Sequence, residues 1–369
     1  MECAHTSWIS NREYLEQFNR KIVQLRVPLS GSIDLTHRCN LKCVHCYVGM
    51  QENTQEMQRR ELKTHQLLSI IDHIADAGCL YLLLTGGEPF IRQDFQDVYR
   101  HAKSKGMLIT VFTNATMLTE NIIALFEDLP PRTVEITLYG ATAKTYERIT
   151  GIHGSFDRCM NAIERLLEHK VHVSLKTILM TLNRDELLDM KDMAKKLVVK
   201  FRFDAALFPR MNGDKAPLGL RVSPGEAVDL EFLEEERMRE WKDFFERYQG
   251  TPLAETLYNC GAGITSFHID PYGMLKPCLM TDAHSVNLLS NSFASGWRNA
   301  IPHIRQRKAG VDFVCTRCDK KSLCGYCPAF FSLENGSEEI SSEYLCAMGR
   351  QRFQKIQQHR LQEDYHEKR

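Results

Sequence analysis

The amino-acid sequence predicts an α/β protein with its strands in one parallel sheet, followed by a cysteine-rich C-terminal region. Three observations carry this prediction. Short β-branched runs alternate with amphipathic helical stretches between residues 31 and 207. Polar motifs stand where several of these runs end, and most of the 13 cysteines are crowded into two short tracts. The 369 residues leave room for a large catalytic barrel and a smaller appended unit.

Six runs have the length and composition of strands. They are Ser32–Thr36, Tyr81–Thr85, Leu108–Thr113, Val134–Leu138, His172–Ile178 and Phe201–Ala205. Most are followed by a helical pattern, and the segment ELKTHQLLSIIDHIADAG at 61–78 repeats apolar residues at intervals of three and four before a closing glycine. Strands that alternate with helices form parallel sheets, so we expect one such sheet here.

Polar motifs follow the first four strands in turn. CNLKCVHCY (39–47) follows the first, GGEP (86–89) the second, TNAT (113–116) the third and YG (139–140) the fourth. Parallel sheets bind ligands at the carboxyl ends of their strands. The motifs therefore predict a single site at that edge of the sheet.

The rest of the chain divides by composition. FPRMNGDKAPLG (208–219) is rich in Pro, Gly and Asn, a charged helical pattern follows, and the last segment is polar, as a solvated terminal helix or frayed tail would be. We predict an N-terminal extension (1–30), a barrel (31–207), a bridging region (208–256), a cysteine-rich domain (257–348) and a polar C-terminal tail (349–369).

Charge and hydropathy exclude several classes of partner. Lys plus Arg equals Asp plus Glu at 47 each, so no global field attracts nucleic acid or an anionic membrane. No apolar run approaches the roughly 20 residues of a membrane span, and the first residues lack the order of a signal peptide. We therefore expect a cytoplasmic protein, in which clustered cysteines favour metal binding over disulfides.

The first cysteine tract offers three thiols in one loop, from Cys39, Cys43 and Cys46. An iron–sulfur cubane takes four thiolates, and a structural zinc site also takes four ligands. His37 or His45 could complete a zinc site, although His45 lies awkwardly between two ligating positions, and a disulfide would leave one thiol over. A three-thiolate cluster would instead leave one iron open, as a catalytic cofactor requires.

The CxxxCxxC spacing, the aromatic Tyr47 directly after it and GGEP at the next strand end together resemble the radical S-adenosylmethionine (SAM) superfamily across residues 31 to 207. The resemblance implies a partial (β/α)6 TIM-type barrel in which SAM binds the open iron through its amino and carboxylate groups. One electron, from a donor such as flavodoxin or ferredoxin, then yields methionine and a 5′-deoxyadenosyl radical that abstracts a substrate hydrogen.

Several rim residues suit this cofactor. Gly86 and Gly87 allow close backbone approach, and their turn can present polar groups to the methionine ammonium, with Glu88 supporting the turn or the ligand. By resemblance Tyr47 lies on the adenine side, and Thr137 and Lys176 lie near the ribose and the methionine carboxylate. The family more often has Ser in place of Thr137 and often Arg near Lys176.

The second cysteine tract holds more thiols than one metal can use, so we predict two sites. It resembles the SPASM domain, the auxiliary iron–sulfur extension of radical SAM enzymes, except that CGYC (324–327) is one residue shorter than the commonest form. By resemblance one cluster is held by Cys315, Cys318, Cys324 and Cys346, and the other by Cys260, Cys278 and Cys327.

Family members with four thiolates at the second of these clusters have another cysteine several residues before Cys260. TPLAETLYN (251–259) contains none, so we expect an open iron that binds a substrate thiolate or a small ligand. Zinc is the alternative for paired Cys-x-x-Cys motifs. Of the other cysteines, we predict that Cys79 and Cys159 are small buried apolar residues and that Cys3 has no specific role.

The substrate is less clearly marked. Sulfatase-maturing relatives carry an acidic residue directly after the cysteine that matches Cys278, where this chain has Leu279, which argues against formylglycine formation. The extension before the first strand is too short for a winged-helix peptide-recognition domain, so we expect either a separate recognition protein or binding by the barrel alone. Candidate substrate-face residues near strand ends are Tyr139, Arg202, Asp204 and Arg210.

We predict a radical SAM oxidoreductase that modifies a ribosomally made precursor peptide, through a C–S or C–C crosslink or another C–H functionalisation. The alternative is a dehydrogenase or cofactor-biosynthesis enzyme that acts on a small molecule, and a third reading is a non-catalytic iron–sulfur or zinc module. The sequence does not specify the bond formed, the proton acceptor, the fourth ligand of the Cys260, Cys278 and Cys327 cluster, or the oligomeric state.

Overall fold

The computed structural model describes residues 10–49, 54–248, 255–281 and 285–367, so Cys3 lies outside the described residues. The strands are β1 Ser30–Thr36, β2 Tyr81–Gly86, β3 Leu108–Thr113, β4 Thr133–Thr137, β5 Val173–Ile178, β6 Lys200–Asp204, β7 Ser266–Ile269, β8 Met274–Lys276 and β9 Val286–Asn287.

The α-helices surround this sheet and fill the C-terminal region. They are α1 Asn11–Leu25, α2 Thr54–Arg60, α3 Thr64–Asp76, α4 Phe95–Ser104, α5 Glu120–Asp128, α6 Ala143–Thr150, α7 Ser155–Glu168, α8 Leu187–Lys196, α9 Pro224–Glu231, α10 Glu235–Tyr248, α11 Phe293–Ser295, α12 Ile301–Arg305, α13 Pro328–Asn335 and α14 Glu343–Glu367. Short 3-10 helices lie at Pro89–Ile91, Arg184–Glu186, Ala216–Leu220 and Val314–Arg317, and a π-helical turn at Gly296–Ala300 joins α11 to α12.

The sheet has the strand order β6-β5-β4-β3-β2-β1-β7-β8-β9. Strands β1 to β6 are parallel and follow the chain order, which confirms the predicted α/β fold with a partial barrel. The sequence did not predict β7, which pairs in parallel with the other edge of β1 and begins an antiparallel β7–β8–β9 extension. The cysteine-rich region thus continues the barrel's own sheet.

Successive side chains along the strands face the apolar core and the internal cavity in turn. Ile33, Leu84, Val111 and Ile136 are fully buried in the apolar core between sheet and helices. Alternate positions such as Thr137 line an internal cavity instead. The buried thiols of Cys79 and Cys159 belong to the core, as the sequence predicted.

The segment from Gly349 was expected to be a solvated tail, and this expectation is wrong for its first turns. Ile356, fully buried, packs with Met238 of α10 in a small apolar cluster. Arg352 binds the carboxylate of Glu231 in α9 through Nε and Nη2, at 2.8 and 2.7 Å. The few apolar residues of α14 are thus anchors between the bridging helices and the cysteine-rich region.

No helix in the described part of the chain combines the length and the apolar character needed to cross a membrane.

Candidate functional site

A cavity of about 340 Å³ opens at the carboxyl ends of the parallel strands. Most of the predicted site residues line it. Among its lining residues are Cys39, Cys43, Cys46, Tyr47, Gly86, Gly87, Thr137, Tyr139, Lys176, Arg202 and Asp204. Residues from five strand ends therefore meet at one place.

The cysteine loop is held against the end of α6. The backbone N–H groups of Lys42 and Val44 donate to the carbonyls of Thr150 and Ile149, at 2.8 and 3.0 Å. Arg210, expected at the substrate face, does not line the cavity: its Nη2 donates to the Val44 carbonyl at 3.4 Å. Arg210 therefore clamps the cysteine loop.

The three thiols of this loop are partly buried and close together. Burial raises the pKa of Cys39 to about 12 and that of Cys43 higher still, and neighbouring thiols of the loop add to both shifts. Cys39 Sγ accepts from Asn114 Nδ2 at 3.6 Å, and the nearby hydroxyl of Tyr139 opposes the rise in the pKa of Cys43. Three thiolates here need compensating positive charge, which the irons of a cluster supply.

Within the described ranges, no group of three or more His, Cys, Asp or Glu side chains is placed to hold a single metal ion. A cubane does not need such convergence, because each thiolate binds a different iron. Three thiols that line one cavity, with hydrogen-bond donors aimed at the sulfur of Cys39, fit a cluster with one iron left open.

The two glycines at the end of β2 are required by the closeness of the backbone that leads from β1 into the cysteine loop. Gly86 has φ +133°, and a Cβ there would lie 2.2 Å from the Thr36 carbonyl oxygen. A Cβ on Gly87 would lie 2.3 Å from the carbonyl oxygen of Arg38. Side chains at these positions would force the two loops apart.

Glu88 supports the turn and does not line the cavity. Its carboxylate, fully buried, accepts from Thr113 Oγ1 at 2.7 Å, from the Asn114 N–H at 2.8 Å and from the Phe90 N–H at 3.2 Å. Burial raises its pKa to about 7, although these hydrogen bonds oppose the shift. Of the two roles expected for Glu88, the structure shows the first.

The opposite wall carries an ion network that the sequence analysis missed. Lys176 Nζ lies 3.0 Å from Glu135 Oε1 and 3.0 Å from the centroid of the Phe112 ring. Glu135 also binds the guanidinium of Arg202. Burial lowers the pKa of Lys176 to about 8, against the opposing effect of Glu135. The signal in the sequence was the lone carboxylate within the strand TVEIT.

The remaining predicted residues take clear positions. Tyr47 is half-buried, with its ring 5.8 Å from that of Phe208. Asp204 Oδ1 accepts from the Ala206 N–H at 2.7 Å. Tyr139 lines the inner cavity, and its hydroxyl lies close enough to Cys43 to affect the pKa of that thiol.

The C-terminal cysteines separate into two groups. Cys315, Cys318, Cys324 and Cys346 line one cavity of about 260 Å³, together with Lys320, Lys321 and Arg350. These cations offset the negative charge of a thiolate-bound cluster.

Cys260, Cys278 and Cys327 form the other group. Burial raises the pKa of Cys327 to about 11, and Cys278 and Cys260 add to the shift. Cys327 is the N-cap of α13 and its Sγ accepts from the Phe330 N–H at 3.4 Å. Cys260 is exposed, with Arg305 Nη1 3.8 Å from its sulfur.

A larger groove of about 910 Å³ adjoins the first cavity. We call it the β6 groove because β6 forms one wall, and α9, α10 and α14 contribute the others. Arg202, Asp204 and Phe208 line both spaces, so the groove and the inner cavity lie side by side. Cys324 and Cys327, one from each C-terminal group, also line the groove. No local sequence pattern indicated this groove, because its walls come from distant segments.

The sequence profile of the Radical SAM superfamily matches residues 33–197 of this chain. The AdoMet-dependent heme synthase of Methanosarcina barkeri is 25% identical over 331 residues, covering 84% of this chain and 93% of the relative. The antilisterial bacteriocin subtilosin biosynthesis protein AlbA of Bacillus subtilis is 26% identical over 335 residues, covering 87% and 71%.

Among solved structures, Streptococcus suis SuiB bound to precursor peptide SuiA superposes with a TM-score of 0.69 at 15% identity, covering 94% of this chain and 84% of that chain. At this identity the likeness speaks for the fold alone.

Proposed function

We propose that this chain is a radical SAM enzyme with a SPASM-type cysteine-rich region, and that it modifies a ribosomally made precursor peptide. The modification is a C–S or C–C crosslink or another change at an unactivated C–H position. The similarity to AlbA, a protein of bacteriocin biosynthesis, supports a peptide substrate. The enzyme uses SAM, a SAM-binding [4Fe–4S] cluster and auxiliary clusters.

We assign Cys39, Cys43 and Cys46 to the SAM-binding cluster. When bound, the cofactors supply a one-electron cleavage of SAM that creates a hydrogen-atom abstractor, and auxiliary iron for electron transfer or substrate anchoring. The chain's own residues orient these cofactors and shield them from water. Asn114 stabilises the Cys39 thiolate, and the rings of Tyr47 and Phe208 exclude water.

Lys176 is assigned to the methionine carboxylate of SAM, with Tyr47, Gly86, Gly87 and Thr137 around the remaining cofactor. Glu135 positions the ammonium and favours its charged form. A buried ammonium with a single carboxylate partner has donors left for a second carboxylate. Glu88 is assigned to the turn that carries the two glycines.

The observation that carries the proposal is the adjacency of the two spaces. The cavity that gathers the first cysteine trio shares three lining residues with the β6 groove, and the groove is also lined by one cysteine of each C-terminal group. A substrate long enough to lie in both spaces could contact all three cysteine groups at once. A peptide has that length.

We further propose that the trio Cys260, Cys278 and Cys327 takes its fourth ligand from the substrate, as a thiolate. The absence of a cysteine from residues 251–259 supports this. Adding a cysteine-containing substrate to anaerobic protein should then change the visible absorption or EPR of this cluster, whereas the same peptide with serine should not. Identical spectra with both peptides would refute the thiolate ligand.

Two partners complete the proposal. A separate peptide-recognition protein would deliver the leader of the precursor, and flavodoxin or ferredoxin would supply the electron. Leu279 directly after Cys278 supports a reaction other than formylglycine formation.

A second candidate is a small-molecule reaction in cofactor biosynthesis. It is favoured by the heme synthase, of which this chain covers 93%. The deciding experiment incubates the reconstituted enzyme, SAM and reductant with a precursor peptide encoded beside its gene, and in parallel with an iron tetrapyrrole. The peptide proposal expects loss of two hydrogens from the peptide, or deuterium uptake from solvent if the change is an epimerisation. Conversion of the tetrapyrrole with an unaltered peptide would reverse the assignment.

A further inference from the structure

Among the described residues, the outer edge of β6 has no partner strand. β6 lies at the end of the sheet and pairs there with β5 alone. The Leu179 N–H donates to the Asp204 carbonyl at 2.7 Å, which fixes the side of β6 that faces β5. Since backbone groups alternate along a strand, the N–H and C=O groups of Phe201 and Phe203 point away from β5. Outside the sheet ladder, no hydrogen bond to these backbone groups occurs within the described part of the chain.

An open edge of this kind is usually covered, charged or broken by proline. Here it forms the wall of the β6 groove, which is wide enough to leave about 910 Å³ between β6 and the helices opposite. The opposite wall also has an unused donor. Trp241 Nε1 is buried without a hydrogen-bond partner in the described residues, while the ring lies against the guanidinium of Arg352, 4.3 Å from the ring centroid. Buried donors of this kind call for a bound acceptor.

The groove lies beside the inner cavity that contains the cysteine loop. The two spaces share Arg202, Asp204 and Phe208 as lining residues. A chain that runs along β6 toward the carboxyl end of the strand therefore approaches the inner cavity. On the way it passes Cys324 and Cys327.

We propose that an extended segment of the peptide substrate adds to β6 as a further strand. It exchanges main-chain hydrogen bonds with Phe201 and Phe203 and carries the modified residue into the inner cavity. The occupant is a peptide and not a small molecule because the free groups are backbone donors and acceptors spaced for another strand. In naming the occupant this inference rests on the proposed function and deepens it.

The walls of the groove suit the binding of peptides with varied side chains. They carry both signs of charge, including Lys200, Arg237, Glu236 and Glu240. Main-chain pairing gives affinity that does not depend on sequence, and the charged walls select among side chains. Such a surface admits a precursor segment with an unusual residue pattern.

The test compares two variants that lose the same ring. Phe203→Pro removes the outward N–H of an edge strand, a position where proline is tolerated, whereas Phe203→Ala keeps the N–H. Short random peptides are selected by display on the anaerobically purified holoenzyme, and their affinity for both variants is measured. We expect Phe203→Pro to bind about fivefold more weakly than Phe203→Ala, the effect of one net hydrogen bond. Equal affinities, or no peptide selected above background, would overturn the inference.

A second measurement does not depend on the fold of a variant. Each selected peptide is N-methylated at one amide at a time and bound to the unaltered enzyme, and amide exchange of β6 is followed at single-residue resolution. We expect alternate methylations to weaken binding, and the Phe203 amide to gain protection while the Arg202 amide stays as it was. A methylation profile without a two-residue period, or an unprotected Phe203 amide, would refute strand addition.

These readouts use binding alone, so they separate this inference from the proposed function. If peptides bind β6 but the enzyme modifies no peptide, the proposed function is refuted and the strand addition is not. If Phe203→Pro and Phe203→Ala modify the precursor equally well, only the strand addition is refuted.

Discussion

Lys176 should make SAM binding depend on pH in a way that its replacement by arginine removes. Burial lowers the pKa of Lys176 to about 8. The amine is therefore positively charged below that pH, and the charge is lost as the pH rises through it. About nine-tenths of the enzyme then carries the charge at pH 7 and about one-tenth at pH 9. If only the charged form holds the carboxylate of SAM, the affinity falls about tenfold over this interval.

Two variants refine this prediction. Lys176→Arg keeps the charge at every accessible pH, so its affinity should not show the fall that Lys176 causes. Glu135→Gln removes the neighbouring carboxylate that raises the pKa of Lys176, so the midpoint should move to lower pH.

The assay is equilibrium dialysis of labelled SAM against the reconstituted enzyme under anaerobic conditions across this pH range. The α-amino group of SAM titrates in the same region, but that contribution is common to all variants, so the difference from Lys176→Arg isolates the lysine. An identical pH profile for the unaltered enzyme and Lys176→Arg would refute the assignment of Lys176.

Three further predictions follow from contacts of the site and of α14. Asn114→Ala removes the N–H aimed at Cys39 Sγ, so the midpoint potential of the first cluster should become more negative in an EPR-monitored redox titration, and an unchanged potential would count against this contact. Gly87→Ala places a methyl group 2.3 Å from a backbone carbonyl oxygen, so the purified protein should lose the iron of the first cluster and keep that of the C-terminal ones. Ile356→Ala should lower the free energy of unfolding by about 3 kcal/mol in urea titrations, because the side chain is fully buried, whereas Leu361→Ala, at an exposed position of the same helix, should change it by less than about 0.5 kcal/mol. Equal effects of the two α14 substitutions would mean that the segment from Gly349 is solvated after all.

The parallel sheet could be predicted because its signal is local. Each of β1 to β6 has apolar residues at alternate positions, and the structure moves the predicted ends by no more than two residues. β7, β8 and β9 are only four, three and two residues long, which is too short for a period of two to be recognised. Their strand character comes from pairing with β1 and with one another.

The site could be predicted in part for a similar reason. Cysteine spacing and the glycine turn are written in consecutive residues, so the lining of the inner cavity followed from motifs at strand ends. The contacts that individual side chains make could not be predicted from these motifs. Tyr139 and Arg210 were assigned to substrate from their position alone; Tyr139 lines the inner cavity close to Cys43, whereas Arg210 lies outside it and donates to the carbonyl of Val44. Contacts of this kind depend on residues far away in the chain.

The central claim is that the trio Cys39, Cys43 and Cys46 drives a SAM-dependent change in a peptide. The most direct test is a single anaerobic reaction with SAM, reductant and the precursor peptide, in which 5′-deoxyadenosine and modified peptide are counted together by mass spectrometry. The account predicts that both products form together in the unaltered enzyme, and that neither forms when the three cysteines are replaced by alanine. A fully reconstituted enzyme that releases no 5′-deoxyadenosine, or that releases it while the peptide stays unaltered in mass and in deuterium content, would contradict the claim.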